Sequence, residues 1–381
     1  MTLAFVIWDG VIGGAELFTL SLVAEIRSRG VDASVIFVGH PDQLRRSLRR
    51  TGTPFDSVGL RPGSRVVLHP RLLAAAVTRT GATAAIIDSV GYLGAALRLG
   101  GYSGHIVGVE HGALIATNQR PLRRRAARLP GRVVGLRAYD AEVTVSGYME
   151  RVVRRHPHHP RLMRVPNGVS LPPSPAPPFP PPGPGEIRLG FVGRLVAGKG
   201  IDVLLRAVAL LNQRSSDQAR PVVSIAGDGR ARPALEKLAR RLGLATDVKF
   251  LGWIDDISRV WAECGVAVAP NDYFKESFCM AVAEAMAFGR PVIASALGAL
   301  PELVVNGRTG LIVRPGNVED LAAAIDHYRA TPERQVVHGA AARRFAVENL
   351  SIQRCADQYL GLIAALPPRP RAIFTDREHQ G

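Results

Sequence analysis

The chain has 381 residues, too many for one hydrophobic core of usual size, so its length predicts two domains. Hydrophobic residues make up 47% of the sequence and charged residues 21%, which indicates a folded globular protein and excludes a largely disordered chain. The formal net charge of +16 comes almost wholly from arginine and favours anionic partners.

Three cysteines, Cys264, Cys279 and Cys355, stand singly in apolar context, without the spacing of a disulfide framework or a metal site. The N-terminus lacks the basic region and cleavage site of a signal peptide, and no apolar window is long enough to cross a bilayer. We therefore expect a cytoplasmic protein.

The first half of the chain alternates short apolar runs with helical stretches, which predicts a parallel sheet covered on both faces. The predicted strands are Leu3–Trp8, Val35–Val38, Ala84–Ile87, Ile106–Val109 and Glu142–Val145. Ligands of such sheets bind beyond the carboxyl ends of the strands, so the residues that follow each run are the candidates for a site.

Two of these positions stand out. Gly13 and Gly14 lie between the first strand and a helix that runs to about Arg29, where glycines let the backbone approach a phosphate or sugar closely. His111 follows the strand Ile106–Val109 directly. The alternatives are an ordinary strand-to-helix turn and a histidine bonded to a loop carbonyl. Glu110 is expected to point away from His111, because adjacent residues of an extended chain face opposite sides.

Residues 119–137 form the most basic segment of the chain. A helix with arginine on one side and apolar residues on the other could rest on an anionic membrane surface, but Pro130 and Gly131 interrupt it. A solvated helix face is the open alternative. Nucleic-acid binding is not favoured, because no base-stacking aromatic residues alternate with the arginines.

A proline-rich stretch separates the two halves. Proline cannot continue a helix or donate to a sheet, so residues 171–185 are predicted to be an extended linker. It divides an N-terminal domain, residues 1–170, from a C-terminal domain, residues 186–366. Residues 367–381 are predicted to be a disordered tail.

The second half opens with a strand from Ile187 and a glycine-rich loop, followed by a helix from about Ile201. Arg194 and Lys199 lie in that loop, where both charges can converge on a pyrophosphate. A Walker A loop needs Ser or Thr after the lysine, whereas Gly200 follows Lys199, so the sequence excludes a P-loop NTPase.

Two further turns follow predicted strands. Gly227-Asp-Gly229 comes after Val222–Ala226, and Trp253 with Ile254 comes after the run from Val248. Packing of Trp253 in the core is the alternative to a binding role.

The stretch from Glu276 to Gly289 is predicted to enter and form a helix behind the buried strand Val266–Ala269. Ser277 is the expected N-cap, which puts Glu276 just ahead of the helix and Glu284 about two turns inside it. The unpaired amides at the helix start would stabilise a phosphate between the two carboxylates. Two ordinary surface acids are the alternative.

These motifs together resemble those of the retaining family 4 glycosyltransferases, which have the GT-B fold of two facing Rossmann-like α/β domains. The matching elements are the Glu-x7-Glu pair, Gly-Gly-x-Glu near the N-terminus, Gly-Arg-Leu-x-x-x-Lys-Gly, the turn Asn167-Gly168-Val169, and Glu302 with the glycines after it.

The resemblance implies catalytic roles for four residues, His111, Arg194, Lys199 and Glu276. It implies donor binding by Gly13, Gly14, Arg194, Lys199, Gly227, Trp253, Ile254, Glu276, Ser277, Phe278 and Glu284. Glu276 would hold hydroxyls of the donor sugar, Glu284 the ribose hydroxyls, and His111 the sugar near its 6-position or reacting face.

We therefore expect a retaining glycosyltransferase that moves a sugar from a nucleoside diphosphate, UDP favoured over GDP, to an acceptor hydroxyl by front-face attack. The acceptor would be a small molecule, a lipid-linked sugar or a polysaccharide. No Asp-x-Asp motif is present, so we expect no cofactor and no metal, the cations stabilising the leaving group instead. The alternatives are a phosphorylase or sugar-nucleotide hydrolase of the same fold, and a basic membrane or nucleic-acid binding protein with a decayed site.

Overall fold

A computed structural model describes residues 1–8, 13–60, 69–88, 90–112, 137–155, 160–172, 186–214 and 220–369. Contacts divide the chain into two units. The first unit comprises Met1–Val145, Met149–Val165 and the chain from Cys355 on, and the second comprises Ser146–Tyr148 and Pro166–Arg354.

The first unit contains a sheet of seven parallel strands in the order β3-β2-β1-β4-β5-β6-β7. The strands are β1 Thr2–Ile7, β2 Asp32–Phe37, β3 Phe55–Ser57, β4 Ala84–Asp88, β5 His105–Glu110, β6 Ala141–Thr144 and β7 Arg161–Arg164. In the centre of the sheet Phe5 pairs with Val35 on one side and with Ile86 on the other. Such continuous apolar runs suit strands that are buried on both faces.

Helices connect these strands. They are α1 Gly14–Ser28, α2 Arg45–Thr51, α3 Pro70–Arg79, α4 Tyr92–Leu99 and α5 Gly147–Val153. Helix α1 buries Phe18, Leu22 and Ile26, whose spacing of four residues puts them on one face. The parallel sheet predicted for the first half of the sequence is thereby confirmed.

The second unit contains a sheet of six parallel strands in the order β10-β9-β8-β11-β12-β13. The strands are β8 Arg188–Val192, β9 Val222–Ala226, β10 Val248–Gly252, β11 Val266–Ala269, β12 Val292–Ser295 and β13 Gly310–Val313. The order reverses between β8 and β11, and the crevice beyond the carboxyl ends at such a reversal is the usual ligand site of an open parallel sheet.

The remaining helices are α6 Ile201–Arg214, α7 Arg232–Arg241, α8 Ser258–Glu263, α9 Met280–Ala287, α10 Leu300–Leu303, α11 Val318–Ala330, α12 Glu333–Asn349 and α13 Ile352–Ala364. Helix α6 buries Leu204, Val208 and Leu211 in one cluster with Leu189 of β8 and Ile225 of β9. The two-domain α/β fold predicted from the sequence is confirmed.

The predicted domain boundaries differ from this grouping at three places, the first being Ser146–Tyr148, which belongs to the second unit. Residues from Pro166 belong to the second unit, because Val169 donates its backbone N–H to Leu350 over 2.8 Å and bridges Ser351. Residues from Cys355 belong to the first unit, where Tyr359 of α13 is fully buried. Local sequence contains no signal for either return of the chain.

Three predicted segments fall largely outside the described residues: the linker beyond residue 172, the basic segment before Arg137, and the tail beyond residue 369. In the part of the chain that the structure describes, no helix has the length and apolar character needed to traverse a bilayer.

Candidate functional site

The turns that follow β8, β9 and β10 lie side by side at the carboxyl edge of the second sheet. Gly227 donates its backbone N–H to Gly252 over 2.6 Å, and Leu195 donates to Asp228 over 2.9 Å. Gly227 has a φ of 129°, and a Cβ at this position would overlap the carbonyl oxygen of Gly193. Only glycine permits this approach, so Gly227 holds three turns together.

Arg194, Trp253 and Ile254 extend from these turns. Arg194 is exposed, Ile254 is partly buried, and Trp253 is 52% exposed with its indole N–H 3.2 Å from Asp255 Oδ1. The alternative that Trp253 packs in the core is therefore wrong. An exposed aromatic face can contact a flat ligand group.

The loop that contains Lys199 is bound to the loop that follows β11. Gly198 accepts the backbone N–H of Phe274 over 3.1 Å. Gly200 has a φ of 68°, and a Cβ there would overlap the carbonyl oxygen of Pro270. The two glycines that flank Lys199 thus fix it beside the loop that leads to Glu276.

Lys199 and Glu276 form an ion pair, with Lys199 Nζ donating to Glu276 Oε1. Their side chains are 12% and 11% exposed. The side-chain nitrogen of Asn271 lies 3.5 Å from the same carboxylate oxygen and donates to the carbonyl of Phe274 over 2.8 Å. The sequence predicted that both residues belong to the site but not that they pair with one another.

The backbone at Glu276 is held by the loop after β12. Ala299 donates its N–H to the carbonyl of Glu276 over 2.9 Å, and Gly298, with a φ of 61°, has no room for a Cβ against the same carbonyl. Sequence reasoning missed both Gly298 and Asn271. The sequence could have identified Asn271 as a candidate, because it is a polar residue just after a buried strand. No local feature of the sequence distinguishes Gly298.

The predicted N-cap of the following helix is wrong. Helix α9 begins at Met280, and its N-cap is Cys279 in an extended conformation, without a side-chain cap. The carbonyl of Ser277 accepts the hydroxyl of Ser146 over 2.6 Å, so it is engaged outside the helix. Glu284 consequently lies about one turn inside α9 rather than two.

Glu284 is partly buried, and this burial raises the pKa of its carboxyl group to about 7. The structure contains no ion pair or side-chain hydrogen bond to this carboxylate among the described residues. Of its neighbours in the predicted donor site, Ser277 is partly buried and Phe278 is 8% exposed. The carboxylate is therefore available to accept hydrogen bonds from a ligand, and such donors would favour its charged form.

The first unit contains the other predicted residues. Gly13 is the N-cap of α1 in an extended conformation, and Gly14 is the first residue of the helix. A Cβ at Gly13 would come within 2.5 Å of Glu16 Oε2, so the glycine makes room for the Glu16 side chain. The loop residues before Gly13 lie outside the described residues.

His111 follows β5 and is in contact with Asp88 at the end of β4, with 3.4 Å between His111 Nε2 and Asp88 Oδ1. Burial lowers the pKa of His111 to about 4, against a smaller opposing effect of Glu110 and Glu16. Burial, with the charge of Glu110, raises the pKa of Asp88 to about 7. Both shifts favour neutral forms, so the contact contributes little as an ion pair.

Glu110 is fully buried and accepts the N–H of Gly112 over 2.9 Å. The structure thus places His111, Gly13 and Gly14 in the first unit, where His111 has Phe18 of α1 as an edge-on ring neighbour at 5.9 Å. It brings Arg194, Lys199, Gly227 and Glu276 to one edge of the second sheet. Asp88 was not singled out by the sequence, although it is a polar residue at a strand end.

No group of three His, Cys, Asp or Glu side chains within the described ranges is arranged to hold a metal ion. The expectation of metal-independent catalysis stays a prediction. Membrane contact through residues 119–137 also stays a prediction, because the structure describes only Arg137 of this segment.

Two family models match successive parts of the chain. The model described as Glycosyltransferase Family 4 matches residues 12–171, and the model described as Glycosyl transferases group 1 matches residues 186–330. D-inositol 3-phosphate glycosyltransferase of Rhodococcus erythropolis is 38% identical over 183 residues, 46% of this chain and 41% of that protein. The chain spans about two fifths of the length of the curated relatives it matches.

Solved structures match nearly the whole chain. Anabaena HepE in complex with UDP and glucose aligns with a TM-score of 0.78 and 20% identity over 96% of this chain and 100% of that one. A variant of S. aureus TarM in complex with Fondaparinux, alpha-GlcNAc-glycerol and UDP aligns with a TM-score of 0.76 and 12% identity, over 95% and 100%. At such identities the likeness establishes the fold.

Proposed function

Because the chain belongs to family 4 of the glycosyltransferases and has their GT-B fold, we propose that it transfers a sugar from a nucleoside diphosphate to an acceptor hydroxyl. The observation that carries the proposal is the cluster of Arg194, Lys199 and Glu276 at the strand-order reversal of the second sheet. Two cations and a carboxylate at this edge suit a ligand that combines a diphosphate with sugar hydroxyls.

Arg194 and Lys199 bind the diphosphate in this proposal. Lys199 is paired with Glu276, so a diphosphate would share the lysine with the carboxylate or replace it. Either outcome leaves Glu276 with acceptor capacity for sugar hydroxyls. The unpaired backbone amides at the start of α9 add a positive partial charge for the phosphates.

The nucleoside contacts follow from the neighbouring turns. Trp253 and Ile254 provide an apolar surface for the base. Glu284 accepts the ribose hydroxyls, which gives its carboxylate hydrogen-bond donors that the described residues do not supply. UDP is the favoured nucleotide, supported by the complexes of HepE and TarM, and GDP is the second candidate.

We propose that the reaction retains the configuration of the sugar and proceeds by front-face attack, with a phosphate oxygen of the leaving group taking the acceptor's proton. Arg194 and Lys199 stabilise the departing diphosphate electrostatically, so that no metal is required. His111 contributes a neutral imidazole, because its lowered pKa of about 4 keeps it uncharged at pH 7, and it hydrogen-bonds a sugar hydroxyl.

The acceptor is a small molecule, a lipid-linked sugar or a polysaccharide. Several curated relatives are named for D-inositol 3-phosphate, which makes a phosphorylated polyol the first acceptor to assay. We place the enzyme in the cytoplasm, with contact to an anionic membrane surface through residues 119–137, and expect no nucleic-acid partner.

A thermal-shift panel of UDP, GDP, dTDP and their sugars tests the proposal. A ligand that binds the native state raises the melting temperature according to its concentration over its dissociation constant. We expect UDP to give the largest shift and the Lys199→Ala variant to lose most of it. No shift with any nucleotide, or equal shifts in the variant, would refute the proposed donor site.

The same preparation separates the reaction types. Release of free sugar without an acceptor identifies a hydrolase, and formation of a sugar phosphate from inorganic phosphate identifies a phosphorylase. The anomeric configuration of a product, measured by NMR, decides between retention and inversion.

A further inference from the structure

We propose that Phe274 is a positioning residue of the diphosphate site, whose aromatic ring holds Arg194 and Lys199 side by side. Lys199 Nζ lies 4.6 Å from the centroid of this ring, and Arg194 Cζ lies 6.0 Å from it. Both distances are within the range of cation–π attraction. The inference rests on the proposed function, since it assigns Phe274 a role through the two cations that bind the donor.

The ring is fixed by the backbone that carries it. Phe274 donates its N–H to Gly198 over 3.1 Å, and its carbonyl accepts the side chain of Asn271 over 2.8 Å. Asn271 is 2% exposed and lies near Glu276 as well. Phe274 is therefore bonded to the loop of Lys199 and also to Asn271 within its own loop, which leads to Glu276.

The two cations differ in what else holds them. Lys199 has the carboxylate of Glu276 as a partner. For the side chain of Arg194, the described part of the chain offers no hydrogen bond and no ion pair, so its contact with the Phe274 ring is what orients it. Two like charges near one another repel, and the negative face of a shared ring offsets part of that repulsion.

The ring of Phe274 therefore holds the Arg194 guanidinium next to the Lys199 ammonium. Two neighbouring cations of this kind suit a ligand with two adjacent negative groups. A diphosphate has this character, and a monophosphate offers only one such group. Because the ring orders the cations before the ligand arrives, less conformational freedom is lost on binding. We therefore expect Phe274 to affect affinity for nucleoside diphosphates more than for monophosphates.

The test compares ring electronics at constant shape. Stepwise fluorination of the ring at position 274, introduced as fluorinated phenylalanines, weakens its negative face while the packing is kept. We expect the affinity for UDP to fall progressively, by roughly 5- to 30-fold in total if both cation contacts are lost, and the affinity for UMP to fall less. Calorimetry measures the affinities for UDP and UMP. If the thermal-shift panel selects another nucleotide, the pair is GDP with GMP or dTDP with dTMP.

Replacement of Phe274 by other natural amino acids is the second part of the test. Phe274→Leu is expected to weaken UDP binding as full fluorination does, whereas Phe274→Tyr keeps the ring and stays within about twofold of the wild type. The matched control is Phe345→Leu, the same change at another partly buried phenylalanine of the second unit. It should leave the affinities for UDP and UMP unchanged.

The inference is overturned if fluorination leaves UDP affinity unchanged, if Phe274→Tyr loses as much affinity as Phe274→Leu, or if UDP and UMP are weakened equally. Arg194→Ala and Lys199→Ala separate this failure from failure of the proposed function. If these two variants bind UDP like the wild type, the donor site is wrong. If they lose affinity while the ring variants do not, only the role of Phe274 is wrong.

Discussion

Replacing Glu284 with Gln tests the burial of this carboxylate and its assignment to the ribose together. Burial raises the pKa of Glu284 to about 7 from an ordinary 4.5, so between these pH values the folded chain binds more protons than the unfolded chain. The free energy of unfolding therefore falls as the pH rises from about 4.5 to about 7, and this contribution is constant above that range. Ionised Glu284 thus destabilises the native chain at neutral and higher pH.

The raised pKa of Glu284 sets the size of this change in the free energy of unfolding. A difference of about 2.5 pH units corresponds to roughly 3 kcal/mol at full burial, and residual solvation of a partly buried side chain lowers this to roughly 1–3 kcal/mol. Glutamine keeps the shape without the charge. Glu284→Gln should consequently be more stable than the wild type by that amount at pH 8, and by less than about 1 kcal/mol at pH 5.

Urea unfolding at the two pH values measures this difference. Glu263→Gln is the control, because Glu263 is an exposed glutamate at the end of α8 in the same unit and its replacement should matter little at either pH. If Glu284→Gln gains no stability between pH 5 and pH 8 relative to the wild type, the reasoning from burial is refuted.

Nucleotide binding supplies the second readout. Ribose hydroxyls donate to the ionised carboxylate, so binding of UDP to the wild type should strengthen as the pH rises through about 7 and should release a proton below that pH. Glu284→Gln should bind UDP more weakly and without this pH dependence. Calorimetry in buffers of different ionisation enthalpy detects the proton, and unchanged UDP affinity in the variant would contradict the ribose assignment.

Four further outcomes are expected. Lys199→Ala should weaken binding of the nucleoside diphosphate by about ten- to a hundredfold through loss of a charge-assisted contact. It should also lower the free energy of unfolding by about 3 kcal/mol, because the Glu276 carboxylate is left buried without its cation. Adding Glu276→Gln should recover most of that stability, and strictly additive costs would argue against the pair. Glu276→Gln alone should lower turnover of the full donor while affinity for the nucleoside diphosphate stays the same or rises, since Lys199 loses its competing carboxylate; a tenfold loss of that affinity would contradict the assignment. Activity should persist in excess EDTA, and complete loss that added metal reverses would disprove metal independence. Gly298→Ala should lower both the melting temperature and turnover, because a Cβ there overlaps the Glu276 backbone, whereas Gly307→Ala, at a φ of 72° in open space, should cost about 1 kcal/mol or less; equal melting temperatures would count against the packing argument.

Local sequence was enough to predict two parallel sheets, although β3 Phe55–Ser57 and β7 Arg161–Arg164 were not among the predicted strands. Buried parallel strands need continuous apolar runs, and the runs Val222–Ala226 and Val266–Ala269 became strands with the predicted limits. It also located much of the candidate site, because the polar residues behind such strands must gather at one edge of the sheet. Their positions behind apolar runs are sufficient to assign Arg194 and Glu276 to that edge.

The tertiary structure decided what these residues contact. Lys199 and Glu276 are 77 residues apart in sequence, and their ion pair depends on the docking of one loop on another. The N-cap of α9 is Cys279 rather than the predicted Ser277, whose carbonyl accepts the hydroxyl of Ser146 outside the helix. Residue propensities and spacing describe a chain's preferences over a few neighbours, whereas these contacts are selected by which strand ends and turns the folded sheet brings together.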